Sequence, residues 1–388
     1  MMRREKKRPL LVYGEALDHY SFGPFHPMGP RRVRLAMHLA EALGVLDHFD
    51  IMEPPPARDR LLRLVHSDDY LQALASGEPK PELGIGDADH PVVPELPRVA
   101  ARVVSATVAA VEEVWEGRYD RAANMAGGLH HAHEGSMSGF CMFNDAAVAI
   151  KWLLDRGASR VAYLDLDAHH GDGVEKIFWD DPRVLTISVH ESGLHLFPGT
   201  GFANDIGGQR ALGTAVNVAL ERHTADLDWL RAVHGIIPPL LQVFKPEIIV
   251  SQHGADAHRA DPLADLDLSM DAMARAYRSV ASWADRFAGG KWVAIGGGGY
   301  LRDSAARAWT HTLAAMADMP LEAAHPTPKD WAQVVQGPVA ATMGDPGAEG
   351  LLAHYRPERV LTDAPGAPMV ATSRAVFPYW GLRPYHQS

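Results

Sequence analysis

The sequence predicts an α/β fold in which a mostly parallel sheet is covered by helices on both faces. Three observations carry this. Short, nearly all-apolar runs recur along the chain, and stretches of helical spacing lie between them. Polar clusters rich in Gly, His and Asp then follow several of these runs directly. Ligand sites of parallel sheets form in that position, beyond the carboxyl ends of the strands.

Taken in chain order, Ala146 to Leu154 reads as a helix, with Asn144 placed to cap it. Val161-Ala162-Tyr163-Leu164-Asp165 is apolar and β-rich and reads as a buried strand. Val184 to Val189, Ala215 to Val218, Glu247 to Ser251 and Lys291 to Ile295 read the same way. Ser269 to Phe287 has helical spacing, with Met270, Met273, Ala274, Tyr277 and Val280 on one face. No repeat period, low-complexity tract or Gly/Ser linker divides the 388 residues. After about Leu321 the composition turns to Pro, Ala and Gly. The expected organisation is a basic, mobile N-terminus over residues 1–9 and a single catalytic domain over residues 10–320. An irregular extension over residues 321–388 then packs on the domain or on a partner.

Composition narrows the function. With 37 Lys+Arg against 48 Asp+Glu the net charge is −11, which argues against a general nucleic-acid or anionic-membrane binder. Cys141 stands alone, so an internal disulfide and thiolate-held zinc or iron–sulfur sites are excluded. No apolar run approaches the ~20 residues of a membrane span. Leu10-Leu11-Val12-Tyr13 is cut short by Gly14-Glu15, which leaves no signal-peptide core. The expectation is a soluble, cytoplasmic protein. Its unusual feature is 21 His, several of them grouped.

Those groups suggest chemistry. Asp167-x-His169 leaving a strand puts both side chains on one side of an extended segment, since alternate residues share a face. Asp256, just past another strand, is a candidate third ligand. Two carboxylates and one imidazole make an open metal site of the catalytic type. Zinc is the first choice, and Fe(II) suits the same donors. A lone Asp-x-His would more simply cap a helix beginning near Gly173; four polar clusters converging on one sheet edge argue for a site instead. His130 and His131, flanked by Gly127, Gly128 and Gly135, are a candidate acid/base pair, with Asp165 and Asp172 as available carboxylates. Tyr300 follows four glycines that match neither common phosphate-loop pattern. A Tyr hydroxyl opposite a metal donates to an oxyanion as it forms. Together these residues predict metal-assisted hydrolysis.

Five stretches appear in order: Gly127-Gly-Leu-His-His-Ala132, Ser138-Gly-Phe-Cys-Met-Phe-Asn-Asp145, Tyr163 to Glu175, Phe197-Pro-Gly-Thr-Gly201 and Gly296-Gly-Gly-Gly-Tyr300. With His26-Pro-Met-Gly-Pro30 they resemble the histone deacetylase superfamily over roughly residues 10 to 320. Gly254 to Pro262 and the closing Phe377 to Pro384 are most similar to its bacterial acetoin-utilisation branch.

The resemblance implies the arginase/deacetylase fold, a three-layer α/β/α arrangement, and removal of acetyl groups from lysine side chains. It makes Asp167, His169 and Asp256 zinc ligands and pairs His130 with Asp165 and His131 with Asp172. Tyr300 polarises the acetyl carbonyl. Asp89 matches a rim aspartate that holds the substrate backbone, and Phe140, Phe197 and Leu263 match walls of the acyl-lysine channel. Gly139 belongs to the same substrate-binding set, and Arg32 matches an arginine of the inner acetate pocket. Structural potassium is implied near Asp165 and Ser188 and at carbonyls around Phe178 and Val184. The acetoin-utilisation likeness implies acetylated acetyl-CoA synthetase as the substrate. His253 departs from the apolar residue usual in the family, and His258 with Arg259 is expected to form a polar lip at the pocket mouth.

Other readings remain at this level. An acetylpolyamine amidohydrolase would take small acetylated amines, a two-metal ureohydrolase would share Asp167 to Asp172, and an acyl-lysine reader would bind without cutting. Within the resemblance His131 is the expected base, and His130, paired more strongly with Asp165, is expected to tune charge and help protonate the leaving amine; the residues do not fix the oligomeric state.

Overall fold

A computed structural model describes residues 7–360 and 365–386. Eight strands form one sheet: β1 (Leu10–Val12), β2 (Asp50–Met52), β3 (Arg121–Asn124), β4 (Val161–Asp165), β5 (Val184–Glu191), β6 (Ala215–Leu220), β7 (Ile248–Gln252) and β8 (Trp292–Ile295). Their order is β2-β1-β3-β8-β7-β4-β5-β6, and every pairing is parallel. All eight carboxyl ends therefore face one edge.

Strand alternation divides the interior in two. Val161 and Tyr163 of β4 join the core built with helices Leu96–Trp115 and Asp145–Asp155. Ala162 and Leu164 join the opposite core, with helices Arg31–Ala42, Asp226–Phe244, Met270–Phe287 and Arg302–Met316. That is the α/β/α sandwich.

The expected strands form with small shifts at their ends, and β5 runs on to Glu191. Asn144 caps its helix by accepting from Ala147 N at 2.9 Å. Ser269 caps the Met270–Phe287 helix in the same way, accepting from Ala272 N at 3.2 Å. The sequence reading assigned no strands at β1, β2 and β3. The reason is clearest at β3, Arg-Ala-Ala-Asn, which has no β-branched residue. Tertiary partners supply what propensity lacks there. Arg121 pairs with Asp285 at 2.9 Å and Asp318 at 3.2 Å, and Asn124 donates to Thr107 Oγ1 at 2.8 Å.

Of the basic N-terminal stretch, residues 1–6 lie outside the described residues. Arg8 donates to the carbonyls of Asp47 and Phe49 at 2.8 and 2.7 Å. Much of the extension packs on the domain. Helix Ala367–Val376 runs beside the edge strand β6, and Thr372 Oγ1 donates to Asn217 O at 2.6 Å. Covering an edge strand blocks pairing with other chains. No helix among the described residues is long and apolar enough to cross a membrane.

Three buried histidines, His234 and His311 in the helical layer and His66 against the loop that carries His130 and His131, should make the fold acid-sensitive. Burial lowers His66, His234 and His311 from 6.5 to about 4 each. Each is neutral when folded and binds a proton more readily when unfolded. Stability is therefore full above about pH 6.5 and falls as the pH drops toward 4. Urea midpoints measured at about pH 7.5 and about pH 5 should differ clearly. Equal midpoints would mean that these imidazoles carry charge in the folded protein.

Candidate active site

Asp167 and His169 lie on the segment leaving β4, and Asp256 follows β7. Their ligand atoms lie within 4.8 Å of one another, all three residues are buried, and they are the one such cluster found among the described residues. His169 Nδ1 lies 3.1 Å from Asp167 Oδ1 and 3.0 Å from Asp256 Oδ2. Neighbours aim the carboxylates. Gln252 Nε2 and Gly298 N donate to Asp167 Oδ2 at 2.7 and 2.9 Å, and Ala168 N donates to Asp256 Oδ1 at 2.8 Å.

Burial, then the charge of Asp167, pushes the Asp256 carboxyl up. Two buried carboxylates that repel each other beside an imidazole are a donor set that a divalent cation would relieve, so the residues fit a metal. The glycines leave it room. A Cβ on Gly298 would fall on the Asp256 carboxylate, and Gly299 sits at φ +112, which glycine adopts freely.

His130 and His131 follow β3, not the long helix ending at Trp115. His130 Nδ1 lies 2.8 Å from Asp165 Oδ2 and His131 Nδ1 lies 2.7 Å from Asp172 Oδ1. The two Nε2 atoms are 3.0 Å apart, a distance that calls for one proton between them. Burial opposes charge on His130, but Asp165 and Asp167 outweigh it and raise the ring to about 9. Burial and the neighbouring His130 hold His131 down to about 4 despite Asp172. The two environments favour a charged, donating His130 beside a neutral, accepting His131.

A cavity of about 440 Å³ leads to this cluster. Phe140, Phe197, Leu263, Gly139, Asp89 and Tyr300 all line it. The Phe140 and Tyr300 rings are 5.9 Å apart and edge-on, and Phe197 stands 5.0 Å from the His131 ring. Gly139 has φ +51, and a Cβ there would strike the His131 ring. Arg32 does not line this cavity. Its guanidinium lies 5.4 Å from the Tyr300 ring centroid and donates to Gly297 O and Gly299 O at 3.0 and 2.8 Å. It therefore braces the glycine turn from behind.

The residues associated with potassium lie in two places. Asp165 pairs in register with Ser188, while Val184 pairs with Val161, four residues back along the strands. At the strand rise that is about 13 Å. Ser188 Oγ sits 2.7 Å from His190 Nδ1, and Phe178 O accepts from Asp181 N at 2.9 Å.

His253 points away from the cavity. It is fully buried, 2.7 Å from Ser251 Oγ and 4.9 Å from the Tyr277 ring centroid. The polar lip expected from His258 and Arg259 does not form. His258 is buried against Asp345 at 2.8 Å, and Arg259 lies near Asp226 and Asp267 at 3.8 and 3.6 Å. Asp87 and Asp89 line the mouth instead.

Four functional neighbours escaped the sequence reading. Gln252 orients Asp167, and Asp261 Oδ2 accepts from Tyr300 N at 2.6 Å. His133 Nε2 shares Asp172 at 3.3 Å, and Tyr163 OH donates to Asp165 at 2.7 Å. Gln252 ends β7 and Tyr163 lies on β4 two residues before Asp165, on the same face, which is the signal that could have found them. Asp261 and His133 carry no such mark.

Residues 26–316 match the histone deacetylase domain. The chain is 37% identical over 330 residues to the acetoin utilization protein AcuC of Bacillus subtilis, covering 83% of this chain and 85% of that one. It is 35% identical over 314 residues to AcuC of Staphylococcus xylosus, covering 79% and 81%. Among solved structures, a histone deacetylase homologue from Aquifex aeolicus superposes with TM-score 0.78 at 30% identity, covering 88% of this chain and 95% of that one. A homologue complexed with SAHA superposes with TM-score 0.76 at 31% identity, covering 85% and 89%.

Proposed function

The chain belongs to the histone deacetylase family, whose members are deacetylase hydrolases, and we propose that it hydrolyses the acetamide of N6-acetyl-lysine in proteins with zinc as its metal. The observation that carries this is the meeting of Tyr300, His131 and the Asp167–His169–Asp256 cluster at one cavity walled by Phe140 and Phe197.

Asp167, His169 and Asp256 would hold the ion, and Fe(II) would suit the same donors. When bound, such an ion supplies Lewis acidity and a more acidic water. The chain's own residues do the rest. Phe140 and Phe197 flank the apolar lysine stem, and Asp89 at the mouth accepts from the substrate backbone. Burial, then Asp256, keeps the Tyr300 hydroxyl protonated, so it donates to the acetyl oxygen as negative charge develops there. Neutral His131 takes the proton of the attacking water, and Asp172 steadies the resulting imidazolium. His130 carries the charge that helps protonate the leaving amine. The free ammonium of the product would lose hydration between the aromatic walls, which disfavours its return.

Likeness to acetoin utilization proteins supports acetylated acetyl-CoA synthetase as the natural substrate and a cytoplasmic setting. Structural potassium near Asp165 and Ser188 completes the reading.

The test is acetate release by metal-stripped protein titrated with zinc, on an acetyl-lysine peptide and on acetylputrescine. We expect turnover of the peptide to saturate near one zinc per chain and to exceed that of the diamine. Faster turnover of acetylputrescine would make this an acetylpolyamine amidohydrolase. No acetate at any zinc level would sink both.

A further inference from the structure

The extension beyond residue 320 does more than cover an edge strand. At Asp345 it reaches the two segments that carry the reaction. The Asp345 carboxylate accepts from His258 Nε2 at 2.8 Å and from Met270 N at 2.7 Å through Oδ2, and from Arg307 Nη1 at 2.9 Å through Oδ1. Its own N–H donates to Asp271 Oδ2 at 2.8 Å. The His258 side chain is 4% exposed, that of Arg307 3% and that of Asp345 9%, so solvent screens these pairs little.

His258 and Arg307 belong to different arms of the site. His258 sits two residues after Asp256, and the same loop then supplies Asp261 and Leu263. Asp261 accepts from Tyr300 N, and Leu263 lines the cavity. His258 Nδ1 accepts from Ala260 N at 3.2 Å, which leaves Nε2 to carry the proton and donate to Asp345. Arg307 lies on helix Arg302–Met316, which begins just after Tyr300. Its Nε donates to Asp303 Oδ2 at 2.8 Å, and Trp331 of the extension donates to Asp303 Oδ1 at 2.7 Å.

We propose that Asp345 is a positioning residue that fixes the metal-ligand loop, through His258, relative to the Tyr300 segment, through Arg307. The inference rests on reading Asp167, His169 and Asp256 as the metal ligands. One carboxylate bridging the two arms sets the spacing between Asp256 and the Tyr300 hydroxyl. Groups that orient ligands from behind typically change metal affinity or activity about 10–100-fold when removed. A shift of about 1 Å in such a spacing costs on the order of 100-fold in rate.

The experiment measures zinc affinity of the full-length apoprotein by competition with a chelator, beside kcat and melting temperature. Asp345→Asn keeps the size and loses the charge. It should weaken zinc binding about 10-fold or more and lower kcat. Thr372→Val, which removes a bond from the same extension at the far edge of the sheet, should lower the melting temperature and leave zinc affinity unchanged. Should Asp345→Asn fail to fold, His258→Asn breaks one arm and leaves the Arg307 pair, and it should weaken zinc binding in the same direction. A destabilised Asp345→Asn protein (or, in its place, His258→Asn) with wild-type zinc affinity would overturn the proposal and reduce the extension to packing. A wild-type protein that takes up no zinc would instead remove the metal reading, and this inference with it.

Discussion

Tyr300→Phe is expected to lower kcat/KM by about 100- to 1,000-fold while metal content stays at the wild-type level. The substitution isolates one atom. The ring keeps its edge-on contact with Phe140 and its place beside the Arg32 guanidinium, and Asp261 still holds the backbone N–H. None of the three metal-binding residues is touched. What disappears is a hydroxyl on a side chain that lines the cavity, free to donate where charge appears on the acetyl oxygen. A donor used in the transition state more than in the ground state lowers kcat rather than raising KM. A near-normal kcat with intact metal content would take Tyr300 out of the mechanism.

Much of this site could be read from the sequence because strand ends announce themselves. An apolar run followed by Asp-x-Asp-x-His, or by four glycines and Tyr, marks both a β-strand and the edge where its successors meet. Asp165, Asp167, His169, Asp256 and Tyr300 were found in this way. His130 and His131 were found without their strand, because Arg121-Ala-Ala-Asn124 owes its conformation to neighbours and not to β-propensity.

What escaped the sequence depends on contacts distant along the chain. Asp345 lies 87 residues from His258 and 38 from Arg307, and nothing local to any of the three announces the pairing. The same distance explains the mistaken lip. His258 and Arg259 look like solvated cations beside a metal loop until a later segment buries the first and acids approach the second. Division of labour between the paired histidines was expected from their carboxylate partners, but its electrostatic cause was not legible. It depends on the burial of both rings, on the charges of Asp165 and Asp167 beside His130, and on the 3.0 Å contact through which His130 opposes charge on His131.

That division leads to a prediction that separates the two rings. His131→Ala should lower kcat by about 100- to 10,000-fold, the range for loss of a general base, with zinc uptake unchanged. His130→Gln should act differently, because it removes a charge and not the base. Burial and the charge of His130 together hold His131 at about 4, so it is neutral and able to accept a proton at ordinary pH. Without that charge, and with Asp172 still 2.7 Å away, His131 binds its proton at higher pH. Activity requires neutral His131, so the acidic limb of the kcat/KM profile must move upward. Profiles recorded for both proteins from about pH 4 to about pH 8 give the comparison. A limb that stays in place, or moves down, would mean that His131 is not the base whose ionisation the limb reports.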